Sequence, residues 1–251
     1  MSLHLFNRPG SGLQSGAARL AGPPQALQAA RALTLVLGLA VLPPLAAQGT
    51  EGACGNPFSN GTAGPFDYRV EQGAARRMVE SNHFTPNVES LVRGNTGSVG
   101  SEITFTLRAF PNHHRALVAM MNLGEKLKTN EPRGAGYSVE CFFIRALTFR
   151  PDDTVARMIY AKFLASKGRK PEALSQLEST TQQAGDNGFT HYNLGLIYLE
   201  LNEFDRALAQ AHRALALGFA KTELQQRLQA AGKWREPAAE SPAAAPSAAA
   251  S

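Results

Sequence analysis

Across residues 101–231 apolar side chains recur three and four apart in blocks, and most blocks stop at a glycine, proline or asparagine. Ile103, Phe105, Leu107 and Phe110 lead into Pro111, and Leu117, Met120, Met121 and Leu123 precede the break TNEPRGAG. Cys141, Phe142, Ile144, Leu147 and Phe149 run to Pro151; Val155, Met158, Ile159, Phe163 and Leu164 run to Gly168. Ala173, Leu174 and Leu177 come before Gly185, and Tyr192, Leu194, Leu196, Ile197 and Tyr198 before Asn202. Ala207, Leu208, Ala211, Ala214 and Leu215 reach Gly218, and residues 222–231 form a last block. This spacing puts apolar groups on one face of a 3.6-residue helix, whereas the alternation of a half-buried strand occurs nowhere at length. The pattern predicts an all-α fold: consecutive helices joined by short breaks.

Upstream the character differs. CGNPFSNGTAGPF and RGNTGSVGS are dense in residues that interrupt regular elements. Only residues 74–83 (AARRMVESNH) and 87–93 (NVESLVR, after Pro86) have helical spacing there. Residues 49–100 have too little apolar surface for a core of their own, so they are expected to pack as an irregular cap on the helical domain of residues 101–234. Within them, GPFDYR and VESNHFTPNVESLVRG stand out as motifs without an evident role.

Both ends fall outside that core. Residues 29–47, AARALTLVLGLAVLPPLAA, are apolar, contain no acid and follow Arg8 and Arg19, with Arg31 near their start, as in a secretory leader. The apolar centre, residues 32–42, is about eleven residues, short of the roughly 20 needed to span a bilayer. A leader over residues 1–48 is therefore expected, with no transmembrane helix in the mature chain. Glu51 argues against lipid modification of Cys54. Residues 235–251 are rich in Ala and Pro, with almost nothing to bury, so a disordered tail is expected.

The charge of +5 comes from 25 basic and 20 acidic residues; three of the basic ones and none of the acidic ones precede residue 49, leaving +2 beyond it. With that balance, and no run of five basic residues, a nucleic-acid partner is not expected. Cys54 and Cys141 are the two cysteines. Two readings stay open: a disulfide persisting in an oxidising compartment, or two independent thiols with Cys141 buried on a helix.

An internal period appears in the second half. Counting Gly188 as a first position places Leu194, Gly195, Tyr198, Ala207 and Ala214 at small and large positions, and stepping back by 34 makes Thr154 a first position, with Tyr160, Ala161, Leu164, Ala173 and Leu177 at corresponding places. One more step back meets Ala146 and Pro151. Small residues at these places let paired helices approach closely, and large neighbours fill the gaps around them. Over about residues 112–234 the chain resembles a tetratricopeptide repeat protein. It departs from that pattern at His191 and Arg157, where the family has an aromatic, and in the long linker TNEPRGAGY.

The resemblance implies a short right-handed stack of antiparallel hairpins whose first helices line a concave groove for a peptide or a partner helix. The matching groove positions are Val155, Met158, Lys162, Phe189, Tyr192, Leu196 and Leu199; Lys162 would meet a partner carboxylate, and Phe189 and Tyr192 would serve as aromatic anchors.

Catalytic motifs are missing. His83, His113, His114, His191 and Glu80 are metal-ligand types, but adjacent His113 and His114 cannot both face one ion from a regular helix, and no HExxH or CxxC occurs. There is no GxSxG, and Gly94, Gly97 and Gly100 lack the lysine of a phosphate loop. The expectation is a non-enzymatic scaffold without metal or cofactor, exported to the periplasm or envelope, that binds another protein. The alternatives are a small enzyme or ligand-binding protein with a concave polar site of Asp67, Tyr68, Arg69, Glu80 and His83, and a cytoplasmic adaptor of the same repeat type.

Overall fold

A computed structural model describes residues 52, 54–59 and 64–237, all within one unit of residues 47–251. The expected leader and the expected tail beyond Pro237 lie outside the described residues.

The described residues form α-helices and turns, with no strand among them. The helices are α1 (Ala74–His83), α2 (Pro86–Glu89), α3 (Val99–Ala109), α4 (His114–Leu127), α5 (Val139–Phe149), α6 (Thr154–Ser166), α7 (Lys170–Gln183), α8 (Gly188–Glu200), α9 (Phe204–Ala216) and α10 (Glu223–Ala230). Their starts are set by side chains that accept an otherwise unpaired amide of the first turn. Ser98, Ser138, Asp153 and Asn187 cap α3, α5, α6 and α8, and the His113 ring caps α4.

Sequence neighbours pair in space. Helix α3 packs on α1 and α4, α4 on α5 and α6, α6 on α7, and α8 on α9, while α10 closes the end against α8 and α9. Helices α1, α4, α6, α8 and α10 begin at 74, 114, 154, 188 and 223, steps of 40, 40, 34 and 35 residues. The two long steps accommodate α2 with its flanking loops, and the loop of residues 128–138.

The 40-residue step is visible in backbone detail. Phe110 (φ −132°, ψ 84°) ends α3 as Arg150 (φ −135°, ψ 85°) ends α5, and each amide donates to the carbonyl four residues back at 2.8 Å. Pro111 and Pro151 follow, then the capping residues His113 and Asp153. The segment expected as an irregular cap is thus more regular than its composition suggests, because α1 pairs with α3 and continues the series. Its second helix is shorter than the expected 87–93. Leu91 turns left-handed (φ 59°), and the amides of Val92 and Arg93 fold back to the Asn87 carbonyl.

The main core runs from Phe84 to Leu228 and includes the fully buried Ala161, Ala173 and Ala207 at helix contacts. A second, smaller cluster of Tyr68, Val79, Ala109 and Phe110 lies under the N-terminal segment. Among the described residues no helix is long and apolar enough to cross a membrane.

Two glycines mark close approaches of different kinds. A methyl on Gly195 would sit 2.3 Å from Leu224 Cδ2 of α10 and 3.3 Å from the Ala207 carbonyl of α9; on Gly100 it would sit 2.3 Å from the Arg133 carbonyl. A leucine tip can move, whereas a backbone carbonyl in a packed loop cannot without dragging the chain. Gly195→Ala is therefore expected to cost less than about 1 kcal/mol, the clash being offset by helix propensity, and Gly100→Ala about 2 kcal/mol or more. Urea midpoints of the two variants check the ordering.

Candidate functional site

The geometry at the two corners begins with Asn112, a residue with no solvent exposure. Its amide nitrogen donates to Asp67 Oδ1 (2.7 Å) and Asp153 Oδ2 (2.8 Å), and its Oδ1 accepts from the Tyr68 amide (3.0 Å). One side chain thus ties GPFDYR, the α3–α4 corner and the α5–α6 corner together. Arg69 pairs with Asp67 (2.7 Å) and Asp152 (2.9 Å), and Arg150 Nε lies 2.7 Å from Asp67 Oδ2. Burial alone would raise the Asp67 carboxyl, but the hydrogen bonds from Arg69 and Asn112 outweigh it and hold it well below the carboxylate range. Asp153 is also lowered against the pull of burial, by His114, the Ala156 amide and Asn112.

Tyr68 is sandwiched: its ring lies 4.1 Å from that of His113, and the Arg76 guanidinium sits 4.2 Å over it while donating to its hydroxyl at 2.8 Å. His113 Nδ1 accepts from the Ala116 amide, so the proton is on Nε2, which donates to Glu80 Oε1 at 3.0 Å. The second motif works similarly. Glu102 accepts the amides of Asn95, Thr96 and Gly97 and lies 2.7 Å from His83 Nδ1, and His83 stacks on Phe105 at 3.7 Å. Burial raises the Glu102 carboxyl, yet the loop amides and His83 bring it down to about 2. GPFDYR and VESNHFTP are therefore fasteners that hold the N-terminal segment on α3 and α4.

Beside the junction an open cleft of about 450 Å³ runs between α4 and α6. Val118, Ala119 and Asn122 line it from α4, Val155 and Ile159 from α6, and Glu89 of α2 joins His114 and Arg115 at its edge. Arg115 Nε donates to Glu89 at 2.7 Å. His114 connects the cleft to the junction, its Nε2 lying 2.9 and 3.0 Å from the two oxygens of Asp153. The same side of α6 continues to Lys162, which reaches Glu200 of α8 at 3.3 Å. On α8 that side carries Leu196, Asn193 and Phe189, the last half exposed.

The seven expected groove residues therefore divide. Val155, Lys162, Leu196 and Phe189 lie on this accessible side. Met158, Tyr192 and Leu199 are buried and cannot meet a partner in this structure. Tyr192 instead lies against Phe219 and donates to Glu223 of α10 at 3.2 Å. Sequence spacing alone missed Ile159, Asn193, Val118 and Glu89. Two of these, Ile159 and Asn193, follow from the i, i+4, i+7 steps that begin at Val155 and Phe189.

The open thiol question resolves to a bond: Cys54 and Cys141 form a disulfide, which also leaves no Cys54 sulfur for a lipid. Of the residues weighed for a polar site, Asp67, Tyr68, Arg69 and Glu80 meet at the junction with their polar atoms directed at one another, while His83 serves Glu102 one turn away. The histidines are spread over separate partners, His191 on Gln210 and the Gly185 carbonyl, and no cluster of metal-ligand side chains exists among the described residues. No protein-family model matches the sequence, and no curated protein is similar to it.

Asn112→Ala removes three buried hydrogen bonds and faces two carboxylates toward each other; a loss of about 3 kcal/mol in unfolding free energy is expected by denaturant titration. His113 gives a pH signature. Burial, against the attraction of Glu80, pushes its imidazole down to about 4 from 6.5. Between these values the unfolded chain binds a proton that the folded one does not, so stability falls as pH drops from about 6.5 to 4, by about 3 kcal/mol in all. His113→Asn, which keeps a capping side chain, should flatten that part of the stability–pH curve.

Proposed function

We propose that the chain is an exported scaffold of the tetratricopeptide type, which holds a protein or peptide along α4, α6 and α8 and catalyses no reaction. The observation that carries this reading is the row of accessible apolar groups on successive inner helices: Val118, then Val155 and Ile159, then Leu196 and Phe189. The row is flanked by charges already paired with one another, Arg115 with Glu89 and Lys162 with Glu200. Partly exposed apolar groups repeated at helical spacing on adjacent helices suit an extended or helical segment better than a small molecule. The 34-residue step and the small buried residues at helix contacts support the repeat type. The disulfide and the leader-like N-terminus favour a periplasmic or envelope location.

The test is a photo-crosslinking residue placed at Asn122 in the groove or at the exposed Gln182 on α7, in the native cells. A discrete adduct from position 122 and none from position 182 is expected. Ile159→Gln, with helicity unchanged, should weaken the captured partner about tenfold or more. Equal labelling from both positions, or full binding by the variant, would reject the groove.

A further inference from the structure

The residues joined by the disulfide differ from the rest of the N-terminal segment in how they are held. Residues 54–58 lie along the outer face of α5 and touch it at one-turn intervals: Cys54 bonds Cys141, its carbonyl accepts from Arg145 Nη1 at 3.0 Å, and the Phe58 ring rests 5.7 Å from that of Phe149. The segment is not close-packed there. A cleft of about 350 Å³ remains between it and Ile144, Arg145 and Thr148, and Phe58 is still 56% exposed. Within the strap the Phe58 amide donates to Asn56 Oδ1 at 2.8 Å. Ten residues on, the anchorage is of another order: the Phe66 amide donates to the Ala109 carbonyl at 2.8 Å, and Asp67 and Tyr68 enter the Asn112 junction.

Both cysteines are largely buried, Cys54 at 3% and Cys141 at 8% exposure, so the side left to a reductant is that of Cys141. Cys141 lies in the first turn of α5, where Ser138 caps its amide, and it lines an open polar cleft of about 530 Å³ with Arg133 and Tyr137. A thiolate formed there is stabilised by the helix start, which makes Cys141 a good partner in thiol–disulfide exchange.

We propose that residues 54–58 are a redox-released strap, latched to α5 by Cys54–Cys141 and hinged at the Phe66–Tyr68 lock, and that a dithiol reductant opens it to bare the α5 face at Arg145 and Phe149. One thiolate of the dithiol attacks Cys141 Sγ; the S–S bond breaks, and its electron pair leaves on Cys54 Sγ, which takes a proton. The second thiolate of the reductant then attacks its own mixed-disulfide sulfur, expelling Cys141 as a thiolate. Two electrons pass to the protein, and the dithiol becomes a disulfide. The junction at Asn112 involves no sulfur, so α1 to α10 keep their packing.

The experiment uses the full oxidised chain with dithiothreitol at neutral pH and no denaturant. Thiols are counted by alkylation and mass spectrometry, the strap is read by amide exchange over residues 54–59 and by chymotryptic cleavage after Phe58, and the helices are read by circular dichroism. Two thiols should appear while helicity is unchanged, with strap exchange and cleavage at least about tenfold faster and protection of residues 64–110 retained. Cys54→Ser should show the open strap without reductant. A bond reduced only when the chain unfolds, a strap equally protected after reduction, or loss of protection throughout the chain would each overturn the proposal.

Discussion

The fold turns on one buried amide. Asn112 places a donor against each of two carboxylates, Asp67 and Asp153, that have almost no contact with water. Two buried anions are tolerable only if charge and hydrogen bonds compensate the lost hydration. Arg69 and Arg150 supply this for Asp67, and His114 with the Ala156 amide supplies it for Asp153. The arrangement fixes three chain segments relative to one another, and hence the angle at which α4 and α6 leave their corners. Because the cleft lies between those two helices, its width follows from this junction, which reaches the cleft only through His114.

The junction also explains why two corners 40 residues apart follow the same backbone path. The matched corners at Phe110 and Arg150 are parts of the same polar assembly, so the helices flanking them are held alike although their core residues differ. Past Asp153, beyond the junction, small residues mark the helix contacts. Ala161, Ala173 and Ala207 are fully buried, and Gly195 admits Leu224 of the closing helix. Polar fastening at one end and close apolar contact at the other are different solutions to the same packing problem.

The helices were legible because their apolar spacing is strong. Helix α1 occupies the 74–83 expected from AARRMVESNH, and every expected block from Ile103 to residue 231 contains a helix. The accessible face was less legible. Helix α8, GFTHYNLGLIYLE, is apolar nearly all round because it packs on α6, α7, α9 and α10, so periodicity cannot say which apolar row faces solvent. The repeat pattern therefore puts Tyr192 and Leu199 in the groove, whereas α10 covers Tyr192. The roles of GPFDYR and VESNHFTP were not legible at all, since their partners, Asn112, His113 and Glu102, lie as far as 45 residues away in the chain. The left-handed Leu91, which shortens α2, carries no local signal of the kind glycine would give.

If the cleft holds a partner as proposed, the charges around it would shape what it recognises. Glu89 accepts Arg115, which holds its carboxyl low, and Lys162 is occupied by Glu200. Exposed pairs of this sort add little to stability, but a partner offering a single carboxylate would have to displace one already present. Discrimination in such a groove rests on the apolar row, where each buried methylene is worth only about 0.8 kcal/mol. Micromolar binding corresponds to about 8 kcal/mol, so no single position can supply it. In the proposed scaffold, affinity would accumulate from Val118 through Ile159 to Phe189, across three helices, and the whole stack, with the junction that sets its spacing, would be the unit of recognition.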